Sequence, residues 1–220
     1  MNKSERLLAL AKKRKAKTYE GYTAIGDHNN GAYECDYVSP YSISANNVDA
    51  DILIILQDWC SEESFGEDVD PETLEYGHTP SVKTNINLKK LLSEHLNVTL
   101  DQTYATNLFP YIKPGPMSAY IPDKDRLKAA KDFTLPIIEI IHPRIAICFG
   151  KDTFNAIRKA YGLKVVYNMK EAVASHFTYR STEIFCQAHP AQRGQNNRNR
   201  EDKNQVSSDW KSMLPYLKTV

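Results

Sequence analysis

The chain has few features that declare a chemistry. Its four cysteines, Cys35, Cys60, Cys148 and Cys186, are widely spaced and form no CxxC pair. That spacing argues against a zinc ribbon, and no metal is expected. No apolar run approaches the roughly 18 residues of a membrane span, and "LLALA" near the N-terminus is too short for a signal-peptide core and runs into cations. The setting expected is therefore reducing and cytoplasmic. Net charge is only +1, so no global field draws the chain to a polyanion, and any such site would be a local patch. There is no GxSxG, no Walker pattern, no internal repeat and no low-complexity tract.

What remains is an ordinary globular chain. Its 220 residues are 41% hydrophobic and 25% charged, enough for one domain with a real core. Residues 4–17 read as a short helix with an apolar start and a basic end, cations that suit the helix C-terminus. A loop-like segment rich in Gly, Asn, Ser and Tyr follows. The organisation expected is an N-terminal basic helix and loop over residues 1–47 and an α/β domain over 48–220.

In that domain, "ADILIILQ", "QTYATNLF", "RIAICFG" and "TEIFCQA" are strand-length apolar runs, as buried parallel strands should be. Helical patterns separate them. One covers 81–96, with Ser81 as N-cap and Val82, Ile86, Leu91 or Leu92 and Leu96 inward. A second covers 123–142, kinked by Pro136. A third covers 151–161 and a last one about 203–217. "LKVVYN" and "ASHFTYR" are candidate edge strands or a hairpin. Strand and helix alternate, which predicts a three-layer α/β/α sandwich around a mainly parallel four-stranded sheet.

Ligands gather at the carboxyl ends of strands in such sheets. The four ends are "QDWC", "TNLFPY", "FGKD" and "AHPAQRG". They place a carboxylate (Asp58), an amide (Asn107), a glycine turn opening a helix (Gly150 and Lys151) and a histidine (His189) along one edge. Each has a plainer reading as a turn, cap or strand terminator. Their shared edge gives them joint significance.

The order and local wording of these motifs resemble the uracil-DNA glycosylase superfamily over about residues 48–217. "ILIILQDWC" is similar to the strand that ends in Gly-Gln-Asp-Pro-Tyr. "TPSVKTN" is similar to its Pro-Ser loop, "YATNLFP" to the strand carrying the base-reading Asn, "ICFGKD" to its Gly-Ser loop, and "AHPAQRGQNNR" to His-Pro-Ser and the DNA-inserting loop. The resemblance implies a monofunctional enzyme that hydrolyses the N-glycosidic bond of a flipped uracil or other deaminated base. Asp58 would stabilise the cationic sugar and orient water, and His189, neutral and donating one N–H, would stabilise the base anion. Asn107 and Gln57 would contact the base, with Tyr76 preferred over Phe65 as the stacking ring. Ser81, Gly150 and Lys151 would grip phosphates. Gln192 or Arg193 would fill the gap left by the flipped base, and Arg193, Arg198 and Arg200 would contact phosphates.

The chain departs from the family pattern. Leu56 stands for its Gly, Trp59 for its Pro, Cys60 for the Tyr that blocks thymine's methyl, and Ala191 for the Ser after His-Pro. The resemblance implies a DNA partner, a monomer and no cofactor, since the closely paired cysteines of the iron–sulfur members are missing. Two other readings stand beside it. One is a non-catalytic nucleic-acid binder on the same fold, which has no need of Asp58. The other is an unrelated α/β hydrolase or nucleotide-binding protein.

Overall fold

The structure, a computed structural model, describes residues 1–66, 68–200 and 202–217; the last three residues of the expected domain, 218–220, lie outside it. Helix α1 (Lys3–Ala16) comes first, with Asn2 and Glu5 forming a capping box. Then follow β1 (Ile52–Asp58), α2 (Pro71–Tyr76), α3 (Lys83–Leu91, continued by a π turn over Leu92–Leu96) and β2 (Tyr104–Phe109). The long central helix is α4 (Asp123–Ala129) joined to α5 (Leu135–Ile141) through a π turn over Ala130–Thr134. Next are β3 (Ile145–Phe149), α6 (Lys151–Ala160), α7 (Met169–Ala174), β4 (Phe177–Tyr179), β5 (Thr182–Gln187), α8 (Gln192–Arg198), α9 (Gln205–Lys211) and α10 (Leu214–Leu217).

Among the described residues the sheet has five strands, in the order β2-β1-β3-β5-β4. The four expected runs pair in parallel. The fifth, β4, is an antiparallel edge strand within "ASHFTYR", turning into β5 at Arg180 in the left-handed region (φ 58°). The expected count of four is therefore one short. "LKVVYN" forms no strand. The Asn155 side chain bonds both backbone groups of Val166 at 2.9 Å, so an amide takes the place of a ladder partner.

Successive β1 residues face opposite sides of the sheet. Leu53 and Ile55 join a core with Phe133, Ile137 and Phe154. Ile52, Ile54 and Leu56 join another with Leu88, Leu92 and Trp210. Helices thus flank both faces. The N-terminal residues belong to these cores too, Leu7, Tyr19 and Val38 to the first and Tyr41 and Ala45 to the second.

Three local expectations need correction. Val82 and Ile86 are exposed, and Asn85 and Leu88 take their place on the buried face, while Leu91, Leu92 and Leu96 face inward as expected. Its N-cap is Val82, and the Ser81 hydroxyl bonds Glu72 at 3.2 Å. The last helix is broken into α9 and α10, with Pro215 in the second of them. Among the described residues no helix is long and apolar enough to cross a membrane.

Candidate functional site

A cavity of about 440 Å³ opens at the carboxyl ends of β1 and β2 and at the exit of β5. Asp58, Asn107 and His189 all line it, as do Trp59 and Cys60. The expected Gln57 and Tyr76 do not line it. Gln57 spends its amide on Asp58, with Nε2 donating to Oδ1 at 2.9 Å. Tyr76 ends α2 with an exposed ring, because the helix turns it away before Gly77. Of the two candidate stacking rings Phe65 lines the cavity, and one of its faces is stacked on His28 at 4.4 Å.

Asp58 ends β1 with its side chain only 7% exposed. Its Oδ2 lies 2.7 Å from Nζ of Lys113, which is 1% exposed and also donates to the carbonyl of Met117. The contact is ionic: the short separation lacks hydrogen-bond alignment at Oδ2. Sequence reasoning missed this partner. The only signal was a lone lysine in "YIKPG", next to residues that pack inward.

Asn107 is 2% exposed. Its Oδ1 accepts from the hydroxyl of Ser39 at 2.5 Å. Among the described residues Nδ2 has no partner, and it is the group the side chain can offer the cavity. Ser39 was not anticipated, and nothing in "VSPYS" marks it.

His189 stands two residues past the end of β5, after Ala188. Its Nδ1 accepts from the backbone N–H of Ala191 at 3.1 Å. An accepting Nδ1 is unprotonated, so the neutral ring carries its proton on Nε2. The ring keeps an exposed face, but it also forms a wall shared by two cavities, and this crowding desolvates it. Desolvation holds its pKa below the usual histidine value, while the charge of Asp58 opposes that shift. The direction follows from crowding rather than from full enclosure.

The segment after His189 was expected to be a loop with nothing to bury. It is helix α8. Gly194 permits this, since a Cβ there would meet the carbonyl oxygen of His189 at 2.3 Å. Gln195 Nε2 donates to that same oxygen at 3.0 Å, and Asn87 Nδ2 donates to the Pro190 carbonyl at 2.8 Å. The backbone that carries the histidine is thus held from α8 and from α3.

Arg198 is not a free phosphate ligand. Its Nε and Nη2 meet the two oxygens of Asp209 at 2.6 and 3.0 Å, and the Asp209 side chain is 6% exposed. Arg193 is exposed and makes no hydrogen bond or ion pair among the described residues, while Gln192 bonds Asn196 at 2.8 Å. Gly150, at φ 89°, stands just before α6 and donates to the Gln187 carbonyl at 2.9 Å. It lines a second cavity with Lys170, His189, Gly194 and Arg200. Lys151 lines neither of these two cavities and sits 3.1 Å from Asp152. Ser81 lies outside both as well.

No protein-family model and no curated protein sequence matches the chain.

The remaining wall is mixed, with Asp68, Asp70, Thr73 and Thr79 beside a group of aromatic rings. The Trp59 indole donates to the Gly77 carbonyl at 2.8 Å and meets Tyr33 and Phe65 edge-on. Gly77 (φ 72°) allows close packing, since a Cβ there would sit 1.7 Å from the Pro40 carbonyl oxygen. Tyr41 stacks on His78 at 4.5 Å. His78 is 5% exposed, and burial pushes its pKa down to about 4. Burial pushes the Cys60 thiol up to about 11, so it is a neutral wall group at pH 7 and no nucleophile. Among the described residues no cluster of His, Cys, Asp and Glu is grouped as a metal site.

Proposed function

We propose that the chain is a DNA glycosylase that hydrolyses the N-glycosidic bond of a flipped deaminated base. One observation carries the reading: a buried carboxylate, Asp58, and a neutral histidine, His189, line the same cavity as the amide of Asn107. Cleavage makes the sugar cationic and the base anionic. A carboxylate beside the sugar stabilises the first and positions water. An Nε2–H aimed at a base carbonyl stabilises the second, and preorganised donors of this kind contribute about 10²–10³-fold each. Asn107 Nδ2 donates to a further base carbonyl. Phe65, rather than Tyr76, is the ring placed to meet the base, and Trp59 with Cys60 forms the wall where the family has its thymine gate. The second cavity, which Lys170 and Arg200 line and which shares His189 with the first, offers cations to the phosphate backbone.

A test is incubation of the purified protein with single- and double-stranded oligonucleotides carrying uracil, hypoxanthine, xanthine or a thymine mismatch, followed by alkali. Strand breaks at the altered base are the expected result. Intact strands with every base would remove the reading.

One observation favours the second reading, a non-catalytic binder of altered or single-stranded nucleic acid. Lys113 neutralises Asp58 within the protein, which weakens the field the carboxylate can apply to a cationic sugar. Base-selective binding without strand breaks is the signature of that alternative.

A further inference from the structure

The expected base-reading group, Asn107, is held by a residue from the N-terminal segment. Ser39 is fully buried, and its Oγ accepts from the Tyr41 N–H at 3.3 Å while donating to Asn107 Oδ1 at 2.5 Å. A hydroxyl has one proton to give. Among the described residues it has no other acceptor for that proton. Were the Asn107 amide reversed, Nδ2 would face Ser39 and the hydroxyl proton would lose its acceptor inside the protein. An unsatisfied buried donor is costly, so the amide is fixed with Oδ1 inward and Nδ2 free.

We infer that Ser39 is a positioning residue that sets the base specificity of the cavity, by locking Asn107 so that it presents a donor to the exocyclic position of the base. A locked donor pairs with a carbonyl at that position and meets an amino group donor-to-donor. The ligand class follows: bases carrying an exocyclic oxygen, as deamination produces, over their amino counterparts. The inference rests on the proposed base-binding role of the cavity, but it does not require that the glycosidic bond be cut.

The test therefore reads binding. The full-length protein is titrated, by fluorescence anisotropy, against single-stranded oligonucleotides carrying one 2′-fluoro-deoxyuridine or one 2′-fluoro-deoxycytidine, whose glycosidic bonds resist cleavage. The wild type is expected to prefer the uracil oligonucleotide. Ser39→Ala frees the amide to rotate, so the preference should shrink by about three- to tenfold, chiefly through tighter binding of the cytosine oligonucleotide. Ser39→Thr keeps the hydroxyl and should keep the ratio. If the alanine variant does not fold, Ser39→Cys, close in size and a much weaker donor, takes its place with the same expected loss. A loss of stability alone would weaken both oligonucleotides equally and leave the ratio unmoved. An unchanged ratio in the alanine or cysteine variant, or no preference in the wild type, overturns the inference. Retained preference in a protein that cuts no oligonucleotide leaves the Ser39 assignment standing and removes only the glycosylase reading.

Discussion

The Lys113 ammonium nitrogen lies 2.7 Å from Oδ2 of Asp58, with both side chains withdrawn from water at 1% and 7% exposure. Removing one member of such a pair leaves an uncompensated buried charge. Lys113→Met is expected to lower stability by about 3–5 kcal/mol, measured by urea unfolding. Adding Asp58→Asn to Lys113→Met should restore part of that loss, because the stranded carboxylate is gone. A single variant within about 0.5 kcal/mol of wild type would mean that the pair carries no structural weight.

Arg198 and Arg193 should separate cleanly. Arg198→Ala strips a partner from the buried Asp209, which among the described residues keeps the Gln205 amide at 2.8 Å as its side-chain partner. Its expected cost is about 3 kcal/mol or more. Arg193→Ala together with Arg200→Ala should leave stability within about 0.5 kcal/mol, since both side chains are exposed. That pair should instead weaken DNA binding and flatten its salt dependence by up to about one unit of slope per lost phosphate contact. An unchanged salt slope would take α8 off the DNA-facing surface.

His78 links stability to acid. Its folded pKa of about 4 lies below the ordinary 6.5. As pH falls below 6.5 the unfolded chain takes up a proton that the folded chain resists, so stability drops until about pH 4. The size expected is roughly 3 kcal/mol, at about 1.36 kcal/mol per pH unit. His78→Phe has no such proton to take up. Its stability should fall less steeply between pH 6.5 and 4 than that of wild type in parallel denaturant titrations. Equal slopes would contradict the assignment.

His189 links activity to acid. Its ring must be neutral to keep Nδ1 as the acceptor of the Ala191 N–H while Nε2 donates. Desolvation in the crowded wall between the two cavities lowers its pKa, so base excision should be level above pH 7 and decline only below the ordinary histidine value. His189→Ala should lose about 10²–10³-fold in rate and lose that acid limb. A decline centred above pH 7 in wild type would assign the limb to another group.

The parallel strands were legible because their runs are apolar on both faces, and a one-residue error in any of them would not alter the edge of the sheet at which it ends. Helix α8 was not legible. "AQRGQNNR" has no apolar stripe, and what holds it as a helix, the close local approach that Gly194 permits to His189 and the Arg198–Asp209 pair to α9, leaves no periodic signal. The same holds at the cavity. Asp58, Asn107 and His189 stand at strand ends, where topology alone brings them near one another. Lys113 and Ser39 reach them from loops whose course depends on packing, and no local pattern marks either residue. Tyr76 and Phe65 were indistinguishable by residue type, and only the turn at Gly77 separates the outward ring from the inward one.

The central claim is that Asp58 acts on a developing sugar cation rather than serving the fold alone. Its most direct test is the single-turnover excision rate of Asp58→Asn on the oligonucleotide that wild type cuts best, at a temperature where unfolding curves show both proteins folded. Charge stabilisation that develops only in the transition state changes the rate and not the ground-state affinity. The account predicts a rate at least about 10²-fold lower with DNA affinity close to wild type. A variant that is folded, binds DNA and cuts at near wild-type rate would contradict it, and would leave Asp58 as the buried partner of Lys113 and nothing more.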